Sequence, residues 1–203
     1  MKIVGIVGGV ASGKSTAAGM LKEHGASVID ADEIGHQILR DPENIQALIE
    51  RWGSDVVDPR GEIDRQRLAA IVFPDNGNRE ALEFLEQLTH PQIKNHVLDE
   101  ITRLQAAGVR LVVLDAALLL EAGWNSICKK IVFIDASSEV RKKHAAKRQW
   151  TEQELFRRES QQLSPEEKRS AADIVIPNCG SEDSLRREIS RVWDSLIGSD
   201  MAD

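Results

Sequence analysis

Residues 8–16 read Gly-Gly-Val-Ala-Ser-Gly-Lys-Ser-Thr, with Gly8, Gly13, Lys14 and Ser15 in the fixed places of G-x-x-x-x-G-K-[ST]. Residue types at this spacing can hold the phosphates of a nucleoside triphosphate. Glycine lets the backbone wrap an anion without Cβ clashes. The amides of Gly9, Val10, Ala11, Ser12, Gly13, Lys14, Ser15 and Thr16 then point at it. Lys14 would reach the β- and γ-phosphates, and the Ser15 hydroxyl would sit on Mg²⁺. The bland alternative is a glycine-rich turn that binds nothing. An apolar, β-rich run at 2–7 and a helical pattern from Thr16 onward flank the motif in the order a phosphate loop requires.

A triphosphate needs an acceptor and a means of stabilising charge before anything reacts. Asp30 and Asp32 fall at the C-terminal end of a short strand at 26–30, and Asp115 closes a strongly apolar run at 109–115. Ligands of open α/β sheets sit outside such strand ends. Asp32 reads as a base or orienting group for an acceptor hydroxyl, or as a helix N-cap carboxylate. Asp115 is placed as a metal-side carboxylate acting through water would be. Arg141, Lys142, Lys143, Lys147 and Arg148 make one helical stretch basic, and Arg158 follows on the next helix. Arginine suits bidentate phosphate contacts. A solvated helix face is the plainer reading for Arg141, Lys142, Lys143 and Lys147.

These groups are delivered by an alternating pattern. Strands are expected at 2–7, 26–30, 109–115, 130–135 and 173–176, with helices between them. That is an α/β fold, a parallel, doubly wound five-stranded sheet in three layers. Helices are expected at 14–24, 33–39, 44–52, 65–72, 78–88, 91–105, 138–148, 151–162 and 182–196. A short one follows Ser164. Pro91 suits the first turn of its helix, and Thr151 with Glu154 reads as a capping box. The core would be 1–55, 109–137 and 171–203, with a helical substrate-binding insert at about 56–108 and a helical lid at about 138–170. The end of the chain, 198–203, should fray.

The 203 residues suffice for one good core. A formal net charge of −7 argues against a general nucleic-acid partner. Two cysteines, Cys128 and Cys179, lack metal-ligand spacing and suit a reduced compartment. No secretory signal and no apolar run of membrane-spanning length is present. A cytoplasmic chain with no membrane partner is the expectation, and a monomer rather than an oligomer.

The ordered motifs resemble the dephospho-CoA kinase family, among the P-loop small-molecule kinases, over nearly the whole chain. The resemblance rests on the segment 5–16, then on Val28-Ile-Asp-Ala-Asp-Glu-Ile, and then on Gly61, Ile63, Asp64, Arg65, Leu68, Val72 and Phe73. It continues with Leu88-Thr-His-Pro, the most particular of the set, and with Leu118-Leu-Leu-Glu. Arg148, Arg158, Gln162, Glu167-Lys-Arg, Ala172-Asp and Asn178-Cys-Gly-Ser complete it. It implies transfer of the ATP γ-phosphoryl group to the ribose 3′-hydroxyl of dephospho-CoA, with ATP and dephospho-CoA as small-molecule partners. It also implies catalytic roles for Lys14, Asp32, Arg148 and Arg158, and acceptor contacts from Asp32, Arg65, His90 and Glu121. Asn178 and Gly180 would meet the nucleotide. Three departures stand out. Ala116-Ala117 replaces an aliphatic residue and proline, His144 stands where arginine is common, and the segment between Arg148 and Thr151 is one residue short. Another small-acceptor kinase is the nearest competitor, and Leu88-Thr-His-Pro speaks against it. A guanine-nucleotide switch would need Asn-Lys-x-Asp, which the chain lacks.

Overall fold

The computed structural model describes residues 1–74 and 78–198. Five parallel strands form one sheet: β1 (Lys2–Gly8), β2 (Ser27–Asp30), β3 (Leu111–Asp115), β4 (Lys130–Asp135) and β5 (Ile174–Pro177). Their order is β2-β3-β1-β4-β5. The phosphate loop therefore leaves the central strand. Register sets Ile6 beside Asp115 and Asp115 beside Asp30, so both carboxylates lie at the same end of the sheet.

The strands sit where apolar runs predicted them, because parallel strands buried on both faces need apolar residues at every position. One face presents Val4, Ile6, Leu111, Val113, Val132, Ile134 and Ile176 to α1 (Lys14–Glu23) and α9 (Glu182–Gly198). The other face is lined by the alternate residues of the same strands, with Leu119 and Cys128 against Gly5. The Cys128 thiol is pushed up to about 11 by burial, so it is protonated and unreactive at neutral pH. α6 (Ser138–Lys147), α7 (Glu152–Glu159) and α8 (Pro165–Ser170) link β4 to β5, and α8 touches β1 and β4.

The chain packs as two compact units, residues 1–30 with 101–203, and residues 31–100. The second begins earlier than the insert expected at about 56–108. It takes in α2 (Ala31–Ile38), α3 (Pro42–Trp52), α4 (Arg65–Val72) and most of α5 (Arg79–Ala106). Its core is Leu48, Val56, Leu68, Val72 and Ala81, with Trp52 and Phe84 edge to face. Asn44 is buried and bonds Gln92 and the Ile38 carbonyl, tying α3 to its neighbours.

Pro91 does not start a helix: α5 runs through it unbroken. An interior proline removes one backbone bond and crowds the carbonyl four residues back, a cost of about 3 kcal/mol. Two side chains, one on either side of it, bond helix carbonyls, neither of them the Gln87 carbonyl that the proline leaves without its donor. Thr89 Oγ1 donates to the Leu85 carbonyl and Gln92 Nε2 to the Leu88 carbonyl, both at 2.8 Å. An apolar stripe through Ala81, Leu85 and Leu88, then Ile93, Val97, Ile101 and Leu104, continues across the proline and favours one helix over two. α9 runs two residues past its expected end, to Gly198, and the expected fraying of 199–203 lies outside the described residues.

Candidate functional site

The phosphate loop bridges β1 and α1. Gly13 caps α1 with φ 95°, a left-handed conformation that costs a side chain about 1–2 kcal/mol. A methyl group on Gly13 would also lie 2.5 Å from Asn178 Nδ2. Ala11 is left-handed as well, at φ 61°, and the Ser12 amide donates to the Gly9 carbonyl at 3.0 Å. Such turns present consecutive amides to one point, the geometry that binds an anion. Ser15 and Thr16, in the first turn of α1, are exposed.

Lys14 Nζ meets Asp115 Oδ1 at 2.6 Å, with the two side chains 15% and 6% exposed. The strand end thus holds the lysine beside the loop. Ser12 Oγ is buried with no hydrogen-bond partner among the described residues. Asn178 donates from Nδ2 to the Ser12 carbonyl at 2.8 Å and is itself buried. Sequence reading expected Asn178 and Gly180 at the nucleotide. Asn178 reaches the loop through that carbonyl, and Gly180 lies exposed in the following turn.

Arg148 and Arg158 come together on one indole. The Trp150 ring meets both guanidinium groups, its centroid 5.3 Å from Arg148 Cζ and 4.1 Å from Arg158 Cζ. The turn between α6 and α7 makes this possible. Gln149 adopts φ 61°, and the amides of Gln149 and Trp150 bond the carbonyls of Ala146 and Ala145. That is a Schellman ending without its usual glycine. It packs the indole back against Ala145, Ala11 and Leu155. The α7 N-terminus is capped by Thr151, whose hydroxyl accepts from the Glu154 amide. Arg158 also pairs with Glu154 at 3.2 Å.

Glu121 serves the fold. It accepts from the Leu163 amide at 2.8 Å and lies 3.2 Å from the fully buried Lys168 Nζ. Lys168 also donates to the Ala117 carbonyl and to Gln162 Oε1. The segment that lacks proline is thereby fastened to α8.

The remaining predicted residues belong to the second unit. α2 starts at Ala31, so Asp32 lies exposed inside its first turn. It is therefore no N-cap, although a carboxylate there is favoured by the helix dipole. His90 is half-buried within α5. Arg65 is exposed at the start of α4. Asp64 caps that helix and pairs with Arg67 at 3.2 Å, taking up the local carboxylate.

Sequence reading missed Arg141. Its side chain, only 12% exposed, pairs with Glu159 and overlies Gly9. The sole signal was its place one turn before His144, which lies 2.9 Å from the Ala11 carbonyl through Nδ1.

No group of three or more His, Cys, Asp or Glu side chains suited to a metal occurs among the described residues. No helix among the described residues is long and apolar enough to cross a membrane.

A family model described as dephospho-CoA kinase matches residues 2–183. A dephospho-CoA kinase of Symbiobacterium thermophilum is 36% identical over 203 residues, covering 98% of this chain and 83% of its own. The crystal structure of TT1252 from Thermus thermophilus superposes with a TM-score of 0.79 at 34% identity, covering 96% and 97% of the two chains. The dephospho-CoA kinase from Campylobacter jejuni gives 0.73 at 27% identity, covering 99% and 100%.

Proposed function

The chain belongs to the dephospho-CoA kinase family, which phosphorylates dephospho-CoA with ATP in the last step of coenzyme A synthesis, and we propose how its own residues divide that work. The amides from Gly9 to Thr16 bind the β- and γ-phosphates. Lys14 exchanges Asp115 for phosphate oxygens when ATP arrives. The Ser15 hydroxyl and, through water, Asp115 would hold Mg²⁺, which would supply charge neutralisation to the phosphates.

Asp32 accepts the proton of the ribose 3′-hydroxyl. That oxygen bonds to the γ-phosphorus, the bond from phosphorus to the bridging oxygen breaks, and ADP leaves. Arg148 and Arg158 stabilise the equatorial oxygens of the transferring group and exclude water. His90 and Arg65 bind the acceptor. Glu121 is reassigned to holding Lys168 and α8. Every group named comes from a single chain.

The observation that carries this reading is the Lys14–Asp115 pair at 2.6 Å beside a loop with a left-handed Gly13. Phosphoryl transfer is mostly positioning and charge stabilisation, and this end of the sheet is built for both. The test is ADP release with MgATP and a panel of acceptors. Turnover with dephospho-CoA and none with nucleoside monophosphates is the expected outcome. Asp32→Asn should lower kcat by about 10²-fold or more while ATP affinity stays close to wild type. Unchanged kcat in that variant sinks the role given to Asp32.

A further inference from the structure

The basic stretch of α6 is not uniform. Lys142 is half-exposed and pairs with Glu152, also exposed. Arg141, its neighbour, points the other way, into the protein. Its Nη1 meets Glu159 Oε1 of α7, and its Nε is buried with no hydrogen-bond partner among the described residues. A methyl group built on Gly9 would lie 2.9 Å from Arg141 Nη1 and 3.0 Å from its Cδ. One turn further along α6, His144 touches the Ala11 carbonyl, and Ala145 packs on Ala11 with Leu155. So α6 meets the phosphate loop at Gly9 and Ala11, and Arg141, which covers Gly9, also reaches the end of α7 through Glu159.

Withdrawing a guanidinium from water is unfavourable unless charge and hydrogen bonds compensate it. Glu159 compensates the charge. An apolar side chain could fill the same space with no such penalty, so the cation here points to electrostatic or directional work. Glu159 directly follows Arg158, and whatever fixes Glu159 fixes the end of α7 that carries that arginine.

We propose that Arg141 is a positioning residue for phosphoryl transfer: it braces the Gly9 turn of the phosphate loop and, through Glu159, sets the position of Arg158. The second half rests on the role given above to Arg158, while the first half is independent of it. Gly9 is needed for room and not for its own conformation, because the occupant of the Cβ position is this side chain.

The test is steady-state kinetics of the full chain with MgATP and dephospho-CoA, alongside ATP binding and thermal midpoints. Glu159→Gln should lower kcat by about fivefold or more while leaving the KM for ATP near wild type, because Gly9 stays covered. Arg141→Ala should lower kcat and also raise the KM for ATP, and Arg141→Lys should recover part of both. Gly9→Ala should weaken ATP binding by about tenfold in the Arg141 background and by clearly less in Arg141→Ala, where the methyl has room. Additive effects of Gly9→Ala and Arg141→Ala overturn the brace. Wild-type kcat in Glu159→Gln overturns the link to α7, as does a loss of thermal stability with kcat and KM unchanged. If Arg158→Ala itself keeps full kcat, the role of Arg158 fails, and the Gly9 cycle still decides the brace. Should Arg141→Ala not fold, the same cycle run with Arg141→Lys decides it.

Discussion

The phosphate loop and the hairpin that carries Trp150 both present cations suited to phosphate, and they are built in opposite ways. At the loop, Lys14 is held by a buried carboxylate, Gly13 by its left-handed backbone, and the Ser12 carbonyl by Asn178. At the hairpin, Arg158 is 46% exposed, its carboxylate partner Glu154 is 30% exposed, and both arginines make cation–π contacts with one indole. Buried pairs are costly to break, whereas exposed pairs and cation–π contacts contribute about 1 kcal/mol or less each. The difference teaches which side chains can move: Lys14 is pinned, whereas Arg148 and Arg158 are held by exposed contacts, on helices that Arg141 and Ala145 fasten to the loop. A triphosphate needs a fixed cradle, and a group that closes over the transferring phosphoryl must be able to leave.

The most damaging change should fall on the fixed side. Lys14→Met should lower kcat/KM on the order of 10²- to 10³-fold, the usual cost of deleting one aligned electrostatic donor. It should also lower the thermal midpoint, because Asp115 would stay buried without its cation. Kinetics and calorimetry on the same preparation check both. A variant that lost activity but kept its midpoint would show that Asp115 finds other compensation, and the contrast in rigidity would weaken.

On the movable side, Arg158→Ala should lower kcat by about 10- to 100-fold with little change in ATP affinity or thermal midpoint. The loop would still grip the nucleotide, and removal of an exposed ion pair hardly affects stability. A fall in midpoint as large as that of Lys14→Met would make the hairpin as structural as the loop.

Trp150→Leu asks more narrowly whether the indole holds the arginines ready or merely supports them. It removes two cation–π contacts of about 0.5–1 kcal/mol each and keeps an apolar side chain against Ala145 and Ala11. The expected result is a fall in kcat of less than about tenfold with unchanged ATP affinity. A rise in kcat would mean that the indole parks the arginines away from the reaction.

The same contrast explains what could be read in the sequence. The phosphate loop was legible because its chemistry is local, with glycine, lysine and hydroxyl at fixed spacing between a strand and a helix. The five strands were legible because β1, β3 and β4 are apolar at nearly every position. Strand order was not, since it depends on packing between distant segments. Pro91 misled because a helix-breaking residue is a local signal, whereas the apolar stripe that carries α5 past it is long-range. Arg141 was hidden among lysines, and only packing turns it inward toward Gly9 and Glu159. Arg148 and Arg158 were picked out by resemblance, and nothing in their spacing announced the shared indole.

The smallest expected effect separates the hairpin from the point where the chain returns to the sheet. Ser164 and Glu167 form a complete capping box at the start of α8, and Glu167 accepts from both the Ser164 hydroxyl and amide. These bonds hold the Glu167 carboxyl below its ordinary value. A group whose folded pKa is depressed stabilises the fold above its unfolded pKa, about 4.3 for glutamate, and loses that contribution as pH falls through the folded value. Glu167→Gln should therefore lower the thermal midpoint slightly at pH 7, and the gap to wild type should narrow below about pH 4 as the native carboxyl is protonated. Because the carboxylate is exposed and screened, the shift should be the least of those argued here. kcat should not change, since α8 is fastened independently by Lys168 to Glu121, Gln162 and the Ala117 carbonyl. A change in kcat without a change in stability would instead place the start of α8 with the movable region and shift the boundary between the two.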